Sequence, residues 1–120
     1  MSQKIRNFKD LEVWKLGKNI ALELYAITKQ FPKEEMFGLT SQMKRASVSI
    51  PSNIAEGFCR NHKKEFKQFL FLSLGSCAEL ETQIEISHDI KLLPKDKKDP
   101  LLEMIDHEQK MLRNLIKKII

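Results

Sequence analysis

Glycine and proline are scarce in this chain, four of each in 120 residues, and aromatic residues make up only 8% of it. Sandwiches and barrels of short strands use more turn residues than that, so an all-β fold is excluded. A hydrophobic fraction of 42% is too high for a disordered chain. Cys59 and Cys77 are the only cysteines, too few for a disulfide scaffold, and they read as reduced small hydrophobes. No stretch approaches the roughly 20 apolar residues that a membrane span needs. The opening MSQKIRNFKD has no apolar run of the kind a secretory leader carries. The expectation is a cytoplasmic protein with no membrane partner. A glycine-rich phosphate loop, a GxSxG elbow and a plausible Ser/His/Asp set are also missing, which leaves no nameable catalytic motif.

What is abundant is charge. Lys plus Arg number 21 against 16 Asp plus Glu, a net of +5. The cationic excess clusters at Lys4–Lys18, Arg60–Lys67, Lys91–Lys98 and Lys110–Lys118, while Glu79, Glu81, Glu85 and Asp89 make the stretch between them acidic. Such patterning is either an ordinary solvated surface or the footprint of a polyanion.

Apolar residues recur at helical spacing along most of the chain. Val13, Trp14, Ala21, Leu24, Tyr25, Ile27 and Phe31 mark a first helix over 8–31, which Pro32 ends. A second helix, 39–59, keeps three faces in phase. Leu39, Met43, Ala46, Ile50, Ile54 and Gly57 form the apolar face, and Gln42, Arg45, Ser49, Asn53 and Glu56 form a polar stripe beside it. Opposite lie the compact residues Ser41, Val48, Ser52, Ala55 and Cys59. Pro51 is expected to kink this helix, with Ser47 and Ser49 satisfying the carbonyls it frees. Asn61 reads as the N-cap of a third helix over about 62–93. Besides its main apolar face that helix has a second strip, Phe71, Leu74 and Ala78. Pro94 and the run KDKKD read as a turn. Asp99 as N-cap and Pro100 as first helical residue then open a fourth helix with a narrow seam at Leu101, Ile105, Leu112, Leu115, Ile116 and Ile119. Four amphipathic helices on short connections predict an all-α fold, an antiparallel up-down four-helix bundle with a proline-kinked second helix, as one domain over 1–120.

Several constellations invite chemistry. Glu85 and His88 have the i, i+3 spacing of di-metal bundles, but Glu103 and His107 stand four apart and supply no second pair. Cys59 and His62 are half of a zinc pattern with no other half. No metal and no cofactor is expected. The polar stripe has two readings: a structural network in which Arg45 and Glu56 meet Glu79 or Gln83, or the wall of a ligand pocket. Val48, Ser52 and Ala55 on one helix and Phe71, Leu74 and Ala78 on the next exceed what one bundle buries, so they are candidate contacts of a homo-oligomer. Two clusters are candidate nucleic-acid contacts: Arg60, His62, Lys63, Lys64 and Lys67 around a helix start, and Lys110, Arg113, Lys117 and Lys118 in the tail.

The strings DLEVW (Asp10 to Trp14), FGLTSQMKRASVSIPSNIAEG (Phe37 to Gly57), EFKQFL (Glu65 to Leu70) and GSCAELETQ (Gly75 to Gln83) occur in this order, with Phe31–Pro32 between the first two. In these strings the chain resembles the four-helix-bundle family first noted in intervening sequences of bacterial 23S ribosomal RNA genes. The resemblance implies ring-like homopentamers without an established enzymatic activity. It also implies kinship with the accessory protein of diversity-generating retroelements, a basic pentameric barrel that associates with a reverse transcriptase and nucleic acid. It marks Arg45, Ser49, Pro51, Asn53, Glu56, Gly57, Gly75, Ser76 and Glu79 as signature positions and leaves the fourth helix unmatched. The expected function is a non-enzymatic oligomer associated with RNA or DNA, an adaptor for a nucleic-acid enzyme or the ribosome. A purely structural or protein-interaction bundle is the alternative, and a small-molecule or metal enzyme a third.

Overall fold

A computed structural model describes residues 5–119. Among them are four α-helices and no strand: α1 (Glu12–Thr28), α2 (Leu39–Cys59), α3 (Lys63–Asp89) and α4 (Lys95–Lys118). No helix among the described residues is long and apolar enough to cross a membrane. Two short 3₁₀ turns, Phe8–Asp10 and Lys33–Glu35, flank α1.

α1 buries Val13, Gly17, Ile20, Leu24 and Thr28, steps of four and three that keep one face inward. It is shorter than the 8–31 expected. Asn7 accepts a hydrogen bond from the Lys9 amide at 2.8 Å and closes Phe8–Asp10 as a separate turn, whose Phe8 ring meets Trp14 edge-on at 5.4 Å. Pro32, at φ −61° and ψ 148°, is extended, so the chain leaves the helix before it.

α2 runs unbroken through Pro51, which is buried inside it. Proline removes the amide that would have bonded the Ser47 carbonyl. The serines do not repair that loss as expected: Ser47 donates to the Lys44 carbonyl and Ser49 to the Ala46 carbonyl, each at 2.8 Å. Both hydroxyls bond the carbonyl one turn back because it is the nearest acceptor a helical serine reaches.

Asn61 is not the cap of α3. Its φ of 54° is left-handed, a conformation asparagine tolerates, and it reverses the chain so that extended His62 becomes the N-cap. At its other end α3 closes in a Schellman motif. Lys91 takes φ 69°, its amide bonds the His88 carbonyl, and the Leu92 amide bonds the Ser87 carbonyl, both at 2.9 Å.

α4 starts four residues before the expected Asp99 cap. Pro94 is its extended N-cap, and Pro100 lies inside the helix. The run KDKKD winds as helix because its charges fit a solvent-facing first turn: Lys98 reaches Glu85 at 3.1 Å and Lys95 stands 4.0 Å from Asp99. Proline so near the start forfeits only the bond to Asp96.

The helices pack in the cycle α1, α2, α3, α4, α1. Ile20 and Leu24, then Met43, Ile50 and Ile54, then Leu70, Leu80 and Ile84, then Leu101, Ile105 and Leu112 fill the middle, all essentially inaccessible. Along α2 and α3, Met43 meets Ser87, Ser49 meets Ser76 and Ile50 meets Ser73, so numbers rise on one helix as they fall on the other. α2 and α3 approach closely at Gly57: a Cβ there would stand 2.5 Å from that of Phe69.

Candidate functional site

At the end of the bundle where α2 finishes and α3 begins, Arg60, His62, Lys63 and Lys64 are exposed and Lys67 is half-buried. Arg60 is partly neutralised, 3.4 Å from Glu56 and with its guanidinium 5.2 Å from the centre of the Phe69 ring. His62 Nδ1 is 4.0 Å from Glu65. Lys63, Lys64 and Lys67 form no ion pair among the described residues. The Phe66 amide makes the first helical bond, to the His62 carbonyl, so the amides of Lys63, Lys64 and Glu65 precede the helical ladder. Beside them Ile5, Phe58, Asn61, His62, Lys63 and Phe66 line an open hollow of about 310 Å³. The arrangement offers cations, helix-end dipole and aromatic edges together, which suits a phosphate with an attached base.

The last residues of the tail cluster lie towards the same end. Lys118 lines a hollow with Leu11 and Val13 at the start of α1, and Ile5 just before them lines the hollow of Phe58 and His62. Lys110 is paired with Asp106 at 3.0 Å, whereas Arg113, Lys117 and Lys118 are exposed and form no ion pair among the described residues. Lys4, the first cation of the amino-terminal cluster, lies outside the described residues.

The polar stripe of α2 does not form the connected buried network expected of it. Ser49 and Asn53 are half-buried; the Ser49 and Ser76 hydroxyls share a 2.5 Å hydrogen bond, and Asn53 Nδ2 donates to the Ser49 carbonyl at 2.8 Å. Gln42, Arg45, Glu56 and Glu79 are exposed, and Glu56 pairs with Arg60 rather than reaching α3. Gln83 is buried, yet its Oε1 has no partner among the described residues. At this stripe α2 and α3 touch through the Ser49 and Ser76 hydroxyls, and the longer side chains of Gln42, Arg45, Glu56 and Glu79 reach water.

Val48 on α2 and Phe71 and Leu72 on α3 are 41%, 54% and 55% exposed. Ser52 and Ala78 are also exposed, while Ala55 and Leu74 are half-buried, Leu74 against the core. Phe37, 92% exposed, stands over a wide hollow shared with Tyr25, Lys44 and Val48. Leu72 and Phe37 were not singled out from the sequence, since neither belongs to the second strip of α3.

Glu85 and His88, whose spacing matches that of di-metal bundles, have other partners. His88 Nδ1 lies 3.0 Å from the Leu93 carbonyl and ties down the α3–α4 loop, and Glu85 holds Lys98. No group of three or more potential metal ligands exists among the described residues. Cys59 is exposed and Cys77 buried, both free. Burial, then the nearby Glu108 and Glu81, push the Cys77 thiol up to about 12, which keeps it protonated and a poor nucleophile.

Sequence reasoning missed Glu108. It is completely buried, neither carboxyl oxygen has a hydrogen-bond partner among the described residues, and burial raises its pKa to about 8. The signal was the seam of α4: the buried positions 101, 105, 108, 112 and 116 are evenly spaced, and Glu108 fills the gap.

These features define an all-α four-helix bundle with a basic end and an apolar flank. The chain matches the family of 23S rRNA-intervening sequence proteins over residues 9–114, and it belongs to that family. It is also similar in fold to a crystal structure of a protein with unknown function from the S23 ribosomal protein family of Bacteroides thetaiotaomicron. That likeness has a TM-score of 0.82 at 20% identity and covers 88% of this chain and 96% of that one. No curated protein matches the chain. Neither the family's description nor the neighbour's gives an enzymatic activity.

Proposed function

We propose that this chain is a cytoplasmic, non-enzymatic homo-oligomer that associates with RNA or DNA through its basic end, as an adaptor for a nucleic-acid enzyme or the ribosome. Its subunit is an antiparallel up-down bundle bent at Pro51, and the assembly is the homopentamer that the family resemblance implies. One observation carries the nucleic-acid reading: Lys63 and Lys64 are exposed and free of acidic partners at a helix start. Cations there oppose the macrodipole, which costs helix stability and favours anions. Exposed Val48, Phe71 and Leu72 support self-association. Assembly would repeat the lysines, so weak phosphate contacts add along one strand with little sequence preference.

The test is RNA and DNA affinity from low to physiological salt for the parent and for Lys63→Glu with Lys64→Glu. Each lost phosphate contact should flatten the log–log slope by about 0.7 to 0.9. An unchanged slope with the oligomer intact would move the interface to Lys110, Arg113, Lys117 and Lys118. Absence of binding by the parent at low salt would overturn the nucleic-acid reading and leave a protein-interaction bundle, which the exposed apolar flank by itself favours.

A further inference from the structure

Glu108 sits where three helices cross and a fourth looks on. A Cβ placed on Gly17 of α1 would stand 2.9 Å from Glu108 Oε2, 3.2 Å from Ile50 Cγ2 and 3.4 Å from the Pro51 nitrogen of α2. The carboxyl therefore occupies the space that glycine leaves open, against a stretch of α2 whose proline offers it no amide. On the α3 side the titratable neighbour is Cys77, which stays neutral up to about pH 12. Gly17, Ile50 and Pro51 do not titrate. Glu81 and Arg113, which act on Cys77, are exposed, and burial is the sole cause of the displacement of Glu108. No salt bridge or hydrogen bond among the described residues answers a charge at this point.

We propose that Glu108 is a proton-operated latch on α4: as the neutral acid it seats the helix against the Gly17–Pro51 crossing, and on ionising it swings α4 outward so that the carboxylate reaches water. An isolated carboxylate in so apolar a position is costly, and moving one helix is the smallest rearrangement that hydrates it. The crossing is otherwise packed, so the charge has no local escape. Among the four helices, α4 is the one that carries the acid and also ends in the basic tail. Opening the latch would shift Lys110, Arg113, Lys117 and Lys118 relative to the start of α3.

The sign follows from the two protonation states. With α4 seated the acid titrates near 8, and once exposed near the ordinary 4.5, so between these values the open form sheds a proton that the closed form keeps. Closure is fully favoured below about pH 4.5, weakens as pH rises, and levels off above 8. Between pH 6 and 8 the open-to-closed ratio should rise roughly 50-fold.

The experiment is amide hydrogen exchange on the full chain from pH 6 to 9, corrected for intrinsic exchange, for the parent and for Glu108→Gln. In the parent, α4 protection should fall by about 50-fold between pH 6 and 8 and by little more up to pH 9, while the α2–α3 core changes less. In Glu108→Gln, α4 protection should be flat. Equal pH dependence in both proteins overturns the proposal, and so does a loss spread evenly over all four helices, which would make Glu108 a strained core residue and no latch. Should the glutamine variant fail to fold, Glu108→Leu serves the same comparison, and the parent profile alone still decides whether α4 moves first.

Discussion

Two glycines in this chain invite the same substitution with opposite results. At Gly57 on α2, an added methyl would stand 2.5 Å from Phe69 Cβ, 3.1 Å from Phe69 Cγ and 3.2 Å from Phe66 Cδ1. Carbon atoms rest at about 3.5 to 4.0 Å, so roughly 1 Å of separation is demanded. The offending atom is a Cβ, fixed to its backbone, and no rotamer change removes it; α2 and α3 must part. Overpacking of this kind costs about 1 to 3 kcal/mol, against about 1 kcal/mol gained by replacing glycine with alanine inside a helix. Parting the helices also strains the Ser49–Ser76 and Ser73–Ile50 hydrogen bonds. Gly57→Ala should therefore lose about 1 to 2 kcal/mol. At Gly75 on α3 nothing lies within 4 Å of the new methyl, so Gly75→Ala should gain about 1 kcal/mol in the isolated subunit. Urea unfolding at several protein concentrations separates subunit stability from assembly. A Gly57→Ala variant as stable as the parent would refute the close approach of α2 and α3. Because Gly75 lies among Phe71, Leu74 and Ala78, Gly75→Ala should also weaken self-association while stabilising the monomer.

Lys91→Gly should stabilise the chain by about 1 kcal/mol, since lysine at φ 69° closes the Schellman motif under strain that glycine does not feel; urea unfolding with an unchanged slope checks it. Phe71→Glu should dissociate the assembly without unfolding the subunit, because Phe71 is 54% exposed. Light scattering alongside circular dichroism reads both, and a parent that is already a stable monomer at low micromolar concentration would refute the oligomer.

α2 was legible to the residue because three kinds of side chain keep one period across Leu39–Cys59, a redundancy that outweighs its single proline. The start of α4 was not: Asp99–Pro100 carries the local signature of a helix start, but so does Pro94, and the choice rests on Lys98 reaching Glu85 across the bundle. Asn61 failed for a related reason, since the same residue type caps helices and tolerates the left-handed turn it takes here. The polar stripe lies beside the core face as placed but was misjudged in depth, because Gln42, Arg45 and Glu56 are long enough to carry their polar ends to water from positions where Ser49 and Asn53 stay half-buried. In the basic cluster at the start of α3, Lys63 and Lys64 are exposed and without an acidic partner, whereas Lys67 is half-buried, Arg60 pairs with Glu56 and His62 stands near Glu65. Glu108 was passed over because an acid is read as surface by default, although its own spacing placed it in the seam.

The α2–α3 pair is joined at three places by side chains of hydroxyl size: Ser49 to Ser76, Ser73 to the Ile50 carbonyl, and Ser87 against Met43 Sδ at 3.3 Å. These contacts act as teeth. Sliding one helix past the other by a turn, about 5.4 Å, would disengage all of them at once, and no intermediate offset re-engages any. The pair is therefore stiff in shear, a plank made of two rods, whereas α4 leans on it mainly through apolar contacts that permit small displacements. Whatever grips the exposed side of this plank meets a surface of fixed pitch, set within the subunit before any partner arrives.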